Sequence, residues 1–409
     1  MRPEMSFGAR LRYHRERAGK TRAVLGGLVG RSEKWVKAVE TDRLLHPRLP
    51  MLLRLADVLG ITDLAQLTGN QSIPVTSISK GTHDAAGTVA TAMITATHAP
   101  AAEQPSLAAL TARVDQAWAL WHHSEAHRSA VATVLPGLLT DAHAVTRALT
   151  GGHRRAALAE QARVYHVTQL FFAFQPAKQL VWLAADRAMT AATDADDPAA
   201  IAAAAWYYAH VYHTSAQLDA AEDTLACAAT LLNPDAGGEH LARWGQLQLG
   251  LALTHAKAGR AGQAWHHHDL AGDAADRHGG THPWLMFGRP AVDAYAVSID
   301  TDLFRPGEAL HHAKRYDVAA LPSRTRRAVY LITVARAHSL RKDNLAVIHF
   351  LGNTLREATD TVRYDTFACT TVLELAEHGG ALRADARQLA AAIATWPADP
   401  RPVHEPHFR

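Results

Sequence analysis

The chain has 409 residues, enough for two or three domains and a large buried core. Apolar residues make up 48%, but alanine supplies much of that share and aromatics are only 7%, which favours packed helices over sheets. The formal net charge is +3, the two cysteines (Cys227 and Cys369) lie far apart, and no apolar run reaches the ~18 residues a membrane helix needs. A disulfide framework and a membrane span are therefore not expected, and the opening MRPEMSFGARLRYHRERAGK lacks the apolar stretch of a signal peptide.

The first predicted element is an amphipathic helix starting at Phe7-Gly8-Ala9-Arg10-Leu11-Arg12, carrying Arg10, Arg12, Arg15 and Arg17 and ending near Ala18-Gly19. Thr21 can cap the next helix. From Arg22 to Glu40 the chain reads RAVLGGLVGRSEKWVKAVE, which fits two short helices joined at Gly30. Leu25, Gly26 and Val29 face inward from the first of these, and Val36 and Val39 from the second. Gly30 falls where the tight connection needs a residue tolerant of positive φ. Ser32 sits at the N-cap position, so Glu33, Lys34 and Lys37 occupy the first turns of an exposed second helix. Pro47 follows, and then Leu52–Ile61 reads as a helix that closes a small helical domain.

Residues 6–68 resemble the Xre/Cro-type helix-turn-helix family. The residues that carry the resemblance are the Leu11 helix, the Gly30 turn, Val36 with Val39-Glu40, Pro47, and Leu55-Ala56-x-x-Leu59-Gly60. Two positions depart from the family pattern. Arg22 stands where many relatives carry Gln, and Asp42 replaces the usual Gly after the second helix, a mild change because Asp tolerates the left-handed region. The resemblance implies that the second helix enters the major groove of double-stranded DNA with its N-terminal residues against base edges. Ser32, Glu33, Lys34 and Lys37 are then the candidates for base readout, with Lys34 or Lys37 suited to guanine and Glu33 to cytosine. Arg22, Arg31 and Arg43 suit phosphates. Charge agrees: residues 1–70 hold 13 Lys and Arg against 7 Asp and Glu, while the other 339 residues hold 29 against 32.

Residues 71–105 shift to Ser, Thr, Ala, Gly and Pro and read as a linker between a DNA-binding domain (1–70) and a larger body (106–409), with a short helix near residues 84–96. From residue 106 helical runs alternate with Pro and Gly breakers to the end. A small residue opens the second helix of a pair at Ala177, Ala221, Ala264, Ala309 and Ala346, at spacings of 44, 43, 45 and 37. The match is fullest at Tyr208-Ala209-x-x-Tyr212, Ala221-x-x-x-Leu225-x-x-Ala228 and Pro234. These features resemble degenerate tetratricopeptide (TPR) repeats, in which small residues let paired helices approach closely; the alternative is a generic Ala-rich bundle. The expected fold is thus all-α, a helix-turn-helix head followed by a TPR-like solenoid.

Head and body together are similar to actinobacterial-type regulators of this layout, and more distantly to the peptide-sensing RRNPP group. A solenoid presents the first helix of each pair on an inner face. On the Ala221 register that face carries Trp206, His210 and His213, with His166 and Gln169 before them and Gln246, Lys257 and Arg336 after. An aromatic ring, imidazoles and a cation suit a small polar ligand or a peptide; the bland alternative is a core tryptophan among surface histidines. Of the 26 histidines, His266-His267-His268 cannot converge on one ion, because successive helical residues point about 100° apart. His123 with His127 and His210 with His213 could each form a pair, but zinc needs three or four ligands, so no metal is expected. No phosphate loop, nucleophile elbow, HExxH or paired cysteines occur, so neither catalysis nor a cofactor is expected. The sequence reads as a cytoplasmic, nucleoid-associated, homodimeric transcription regulator with a ligand-sensing body. The alternative is a TPR scaffold that works through protein partners and binds DNA weakly.

Overall fold

The structure is a computed structural model. It describes residues 6–44, 47, 49–61, 64–69, 81–99, 106–215 and 217–393. Among these residues every regular element is a helix and no strand occurs, as the composition predicts. The described chain falls into two units, one up to residue 69 and one from Gly81 onward.

The first unit holds α1 (Phe7–Arg17), α2 (Arg22–Leu28), α3 (Glu33–Glu40), α4 (Leu49–Leu59) and the single turn α5 (Ala65–Thr68). The first three begin with the same device. The hydroxyls of Ser6, Thr21 and Ser32 accept from the backbone N–H three residues on, each at 3.2 Å, satisfying a donor that a helix start leaves orphaned. Their apolar faces meet in one core, where Leu11, Leu25, Val29, Val36 and Leu55 are fully buried. All five inward positions expected of the helix pair, including Gly26, are buried.

The second unit opens with α6 (Ala86–Thr95), inside the Ala- and Thr-rich stretch. Its Val89 and Met93 are fully buried among Leu110, Val114 and Leu135, so this helix is part of the body's core. Arg187 donates to the Met93 carbonyl, and Arg147 reaches the carbonyls of Thr97 (2.6 Å) and Ala99 (3.0 Å) to cover its end. Next come α7 (Leu107–His123), α8 (His127–Ala132) and α9 (Leu135–Ala148).

Ten helices then follow as five successive pairs. They are α10 (Gly151–Phe172) with α11 (Lys178–Asp194), and α12 (Pro198–Thr214) with α13 (Leu218–Thr230). Next are α14 (Gly238–Lys257) with α15 (Ala261–His278), α16 (Arg289–Asp302) with α17 (Pro306–Arg315), and α18 (Arg324–Leu340) with α19 (Asn344–Glu357). Partners within each pair pack on one another, and each pair packs on the next. Ala221, Ala264 and Ala309 sit fully buried where their pairs close, whereas Ala177 and Ala346 are only half-buried. Pro198 and Pro306 open helices rather than break them, since proline's missing N–H costs nothing in a first turn. The body ends in α20 (Thr359–Tyr364), α21 (Thr366–His378) and α22 (Arg383–Ile393), gathered on Val347, Leu351, Val362, Val372 and Ile393.

One expectation is corrected. The first helices of the pairs do not all line an open inner face, because α7 lies against α10 and α18 among them. Its Trp118 packs on Tyr207 (6.1 Å between ring centroids) and Trp284 (5.2 Å). His122 bonds the Ser323 hydroxyl (2.9 Å) and the Trp284 carbonyl (3.0 Å), and the backbone of Arg128 donates to Asp360 (2.9 Å). Residues near 120 thus meet residues near 320 and 360. The physical reason is area: an inner stripe rich in large rings gains by shedding water against another helix.

Candidate functional site

In the head, two tight contacts set the pose of α3. A β-carbon on Gly26 would lie 2.6 Å from the Arg31 carbonyl oxygen, and one on Gly8 2.5 Å from that of Val39. Only glycine permits α2 and α1 to come this near the start and end of α3. Gly30 adopts φ +69° at the turn, and Asp42 adopts φ +53° beyond α3. Asp42 also does what glycine in its place could not. Its carboxylate accepts from the Gly8 N–H at 2.9 Å and from the Ser6 hydroxyl, tying the start of α1 to the end of α3.

Glu40, almost wholly buried, is held by two arginines. Arg15 donates to both its oxygens, and Arg22 donates from Nε at 2.6 Å. Arg15 also reaches the Lys20 carbonyl at 2.9 Å. The bond to Glu40 raises the Arg15 pKa. Arg22, expected on phosphates, is thus engaged inside the head, with part of its side chain still exposed.

Ser32, Glu33, Lys34 and Lys37 are all exposed on the first turns of α3, with Arg31 before them and Arg43 after. None of the cations Arg31, Lys34, Lys37 and Arg43 ion-pairs with a carboxylate among the described residues. Arg31 instead lies over the ring of Trp35 at 5.8 Å, and Trp35 is half-buried against the head core. This geometry, a rigid hairpin presenting one polar helix start, is that of a helix-turn-helix. A family model described as a helix-turn-helix domain matches residues 6–67. The first unit is therefore a helix-turn-helix DNA-binding domain, which supports a DNA-binding regulator. Neither the curated proteins nor the solved structures contain a match to the chain.

In the body, the residues expected to face a ligand separate into groups. Trp206, His210 and His213 run edge to face along α12, with centroids 4.9 and 5.9 Å apart. His213 bonds the Thr254 hydroxyl at 2.8 Å. His166 is buried, stacked on Tyr207 (4.6 Å), with neither ring nitrogen bonded, and Gln169 donates to the Tyr207 carbonyl at 2.8 Å. Lys257 pairs with Asp302 (2.7 Å), and Arg336 stands apart, paired with Asp365 (3.6 Å). Burial pushes His166 and His210 well below the ordinary imidazole range and His213 down to about 4, so these rings are neutral near pH 7.

Trp206 and Gln246 share a cleft between α12, α14, α16 and α18. It holds about 520 Å³ of empty space counted to its open mouth. The sequence reading missed its other polar members, Tyr295, Ser298, Arg326 and Thr333, which lie on first helices of later pairs. The available signal was a tyrosine and an arginine on first helices that also supply apolar residues to the core. The consecutive histidines diverge as expected: His267 bonds Gln248 (2.7 Å) and His268 the Val292 carbonyl (3.0 Å). Among the described residues no group of three or more His, Cys, Asp or Glu is placed to hold a metal ion, and no helix is long and apolar enough to cross a membrane.

Proposed function

We propose that the chain is a sequence-specific transcription regulator that binds an operator in double-stranded DNA as a homodimer and senses a small molecule or peptide through its body. The observation that carries the DNA part is the start of α3, where Lys34 and Lys37 stand exposed, with no carboxylate partner among the described residues, on a helix held by backbone-close contacts. In this reading Ser32, Glu33, Lys34 and Lys37 read bases, with a lysine on guanine O6/N7 and Glu33 on cytosine N4. Arg31, Arg43 and the exposed part of Arg22 hold phosphates and set register. A single recognition helix reads few base pairs, so adequate specificity requires two heads on two half-sites.

We read the five helix pairs as degenerate TPR-like repeats, and the body as the dimerising element. The cleft at Trp206 supports ligand binding, because concave apolar pockets with a few converging polar groups are where small molecules bind. The reading includes no catalysis, metal or cofactor. The test is selection of genomic fragments by the full-length protein at two salt concentrations. A shared, roughly palindromic motif that survives high salt is the expected result. Enrichment without a motif, lost steeply as salt rises, would overturn sequence-specific regulation.

A further inference from the structure

The cleft between α12, α14, α16 and α18 is lined by fifteen residues, of which one is a cation and none is a carboxylate. Leu249, Leu285, Phe287, Leu321 and Tyr330 supply apolar wall. The cation is Arg326, half-buried in the third position of α18. Its guanidinium donates from Nη1 to the Tyr295 hydroxyl at 3.0 Å, and no carboxylate among the described residues pairs with it. The neighbouring arginines differ: Arg243 is paired with Glu239 and Arg327 with Glu357. A charge held in an apolar wall without a counter-charge is costly, and arginine's fork matches a carboxylate through two parallel bonds. A second observation points the same way. Trp206, almost wholly buried in the cleft wall, has an indole N–H with no hydrogen-bond partner.

We infer that the cleft binds a small organic acid, its carboxylate on Arg326 beside Tyr295 and its apolar part among Leu249, Phe287 and Tyr330. This rests on the reading of the body as a sensor and narrows its ligand to an anionic, mostly apolar molecule.

The experiment is calorimetric titration of the full-length protein with 4-phenylbutyrate, indole-3-acetate and octanoate, each against its own primary amide. At least one acid is expected to bind once per chain, and tighter than its amide by about tenfold or more, as a charge-assisted bidentate pair provides. In Arg326→Met the preference for acid over amide disappears, while Arg326→Lys keeps part of it. The comparison of acid with amide on the unaltered chain needs no variant, so misfolding of a variant leaves the test intact. Equal binding of acid and amide, failure of all three acids to bind at millimolar concentration, or an acid preference unchanged in Arg326→Met overturns the proposal. Binding of the selected DNA motif is measured alongside. Acid binding that leaves DNA affinity unchanged keeps the site and removes its regulatory role. A firm DNA motif with no acid binding keeps the regulator and removes the acid.

Discussion

Glu40 has its carboxylate buried beneath two guanidinium groups, and that placement decides what happens when it changes. Removing one partner of a buried ion pair leaves the other charge stranded, which typically costs about 3–5 kcal/mol. Glu40→Gln should therefore destabilise the head by about 3 kcal/mol while leaving the body folded. Hydrogen exchange of residues 6–69 in the full chain checks this; unchanged protection there would contradict it. The exposed lysines predict the reverse pattern. Lys34→Ala or Lys37→Ala should leave the fold intact and lower operator affinity by about 1–3 kcal/mol, whereas Arg31→Ala should weaken operator and random DNA alike. Equal losses on both DNAs for all three variants would remove the base-reading assignment. At this scale the caps Thr21 and Ser32, the Gly30 turn and the left-handed Asp42 were legible, because each follows from local conformational preference. The bond from Arg22 to Glu40 was not, since it joins residues 18 apart whose meeting depends on how three helices pack.

At the scale of elements, α3 is positioned by absent side chains as much as by present ones. Gly26→Ala would set a methyl 2.6 Å from the Arg31 carbonyl, against backbone that cannot rotate away. Overpacking of this kind typically costs about 1–3 kcal/mol. The expected outcome is a displaced α3 and weakened DNA binding by a chain whose helix content, read by circular dichroism, is nearly unchanged. Full-strength binding would show that the contact between α2 and α3 is slack. Three of the body's helix pairs were legible in the alanines that close them, Ala221, Ala264 and Ala309, because close approach demands a small residue whatever surrounds it. The placement of α7 was not. Its Trp118 and Trp121 mark it as a core helix, but nothing local says which surface it covers. The same limit hid Arg326, whose significance lies in the lack of a carboxylate among neighbours contributed by four different helices.

For the whole molecule, the histidines set a dependence on acid. Burial holds His143, His213 and His267 down to about 4 and His122 to about 3, with His127 and His166 also well below the ordinary value. In the unfolded chain these rings take up protons near pH 6.5, while in the folded body they do not. The unfolded state therefore binds more protons, and stability falls as pH drops from about 6.5 towards 4, with each such ring adding up to about 1.4 kcal/mol per pH unit. Burial raises Glu160 and Asp300, which opposes this, but two carboxylates are outweighed by several imidazoles. Above pH 7 the rings are neutral in both states and contribute no slope. Thermal melts of the full chain across pH 4–8 test this; a melting temperature flat below pH 6 would mean that the rings are not dry.

The buried pairing of Glu40 with Arg15 and Arg22 also bears on how the chain answers to ionic strength. Arg15 is committed to the interior, so the phosphate contacts read for one head are those of Arg31, Arg43 and the exposed part of Arg22. Each phosphate neutralised frees about 0.9 of a condensed counterion, so one head should release about three and a pair about five. A plot of log K against log salt then reports stoichiometry directly: a gradient of about −2.7 means one head on the DNA, and about twice that means two.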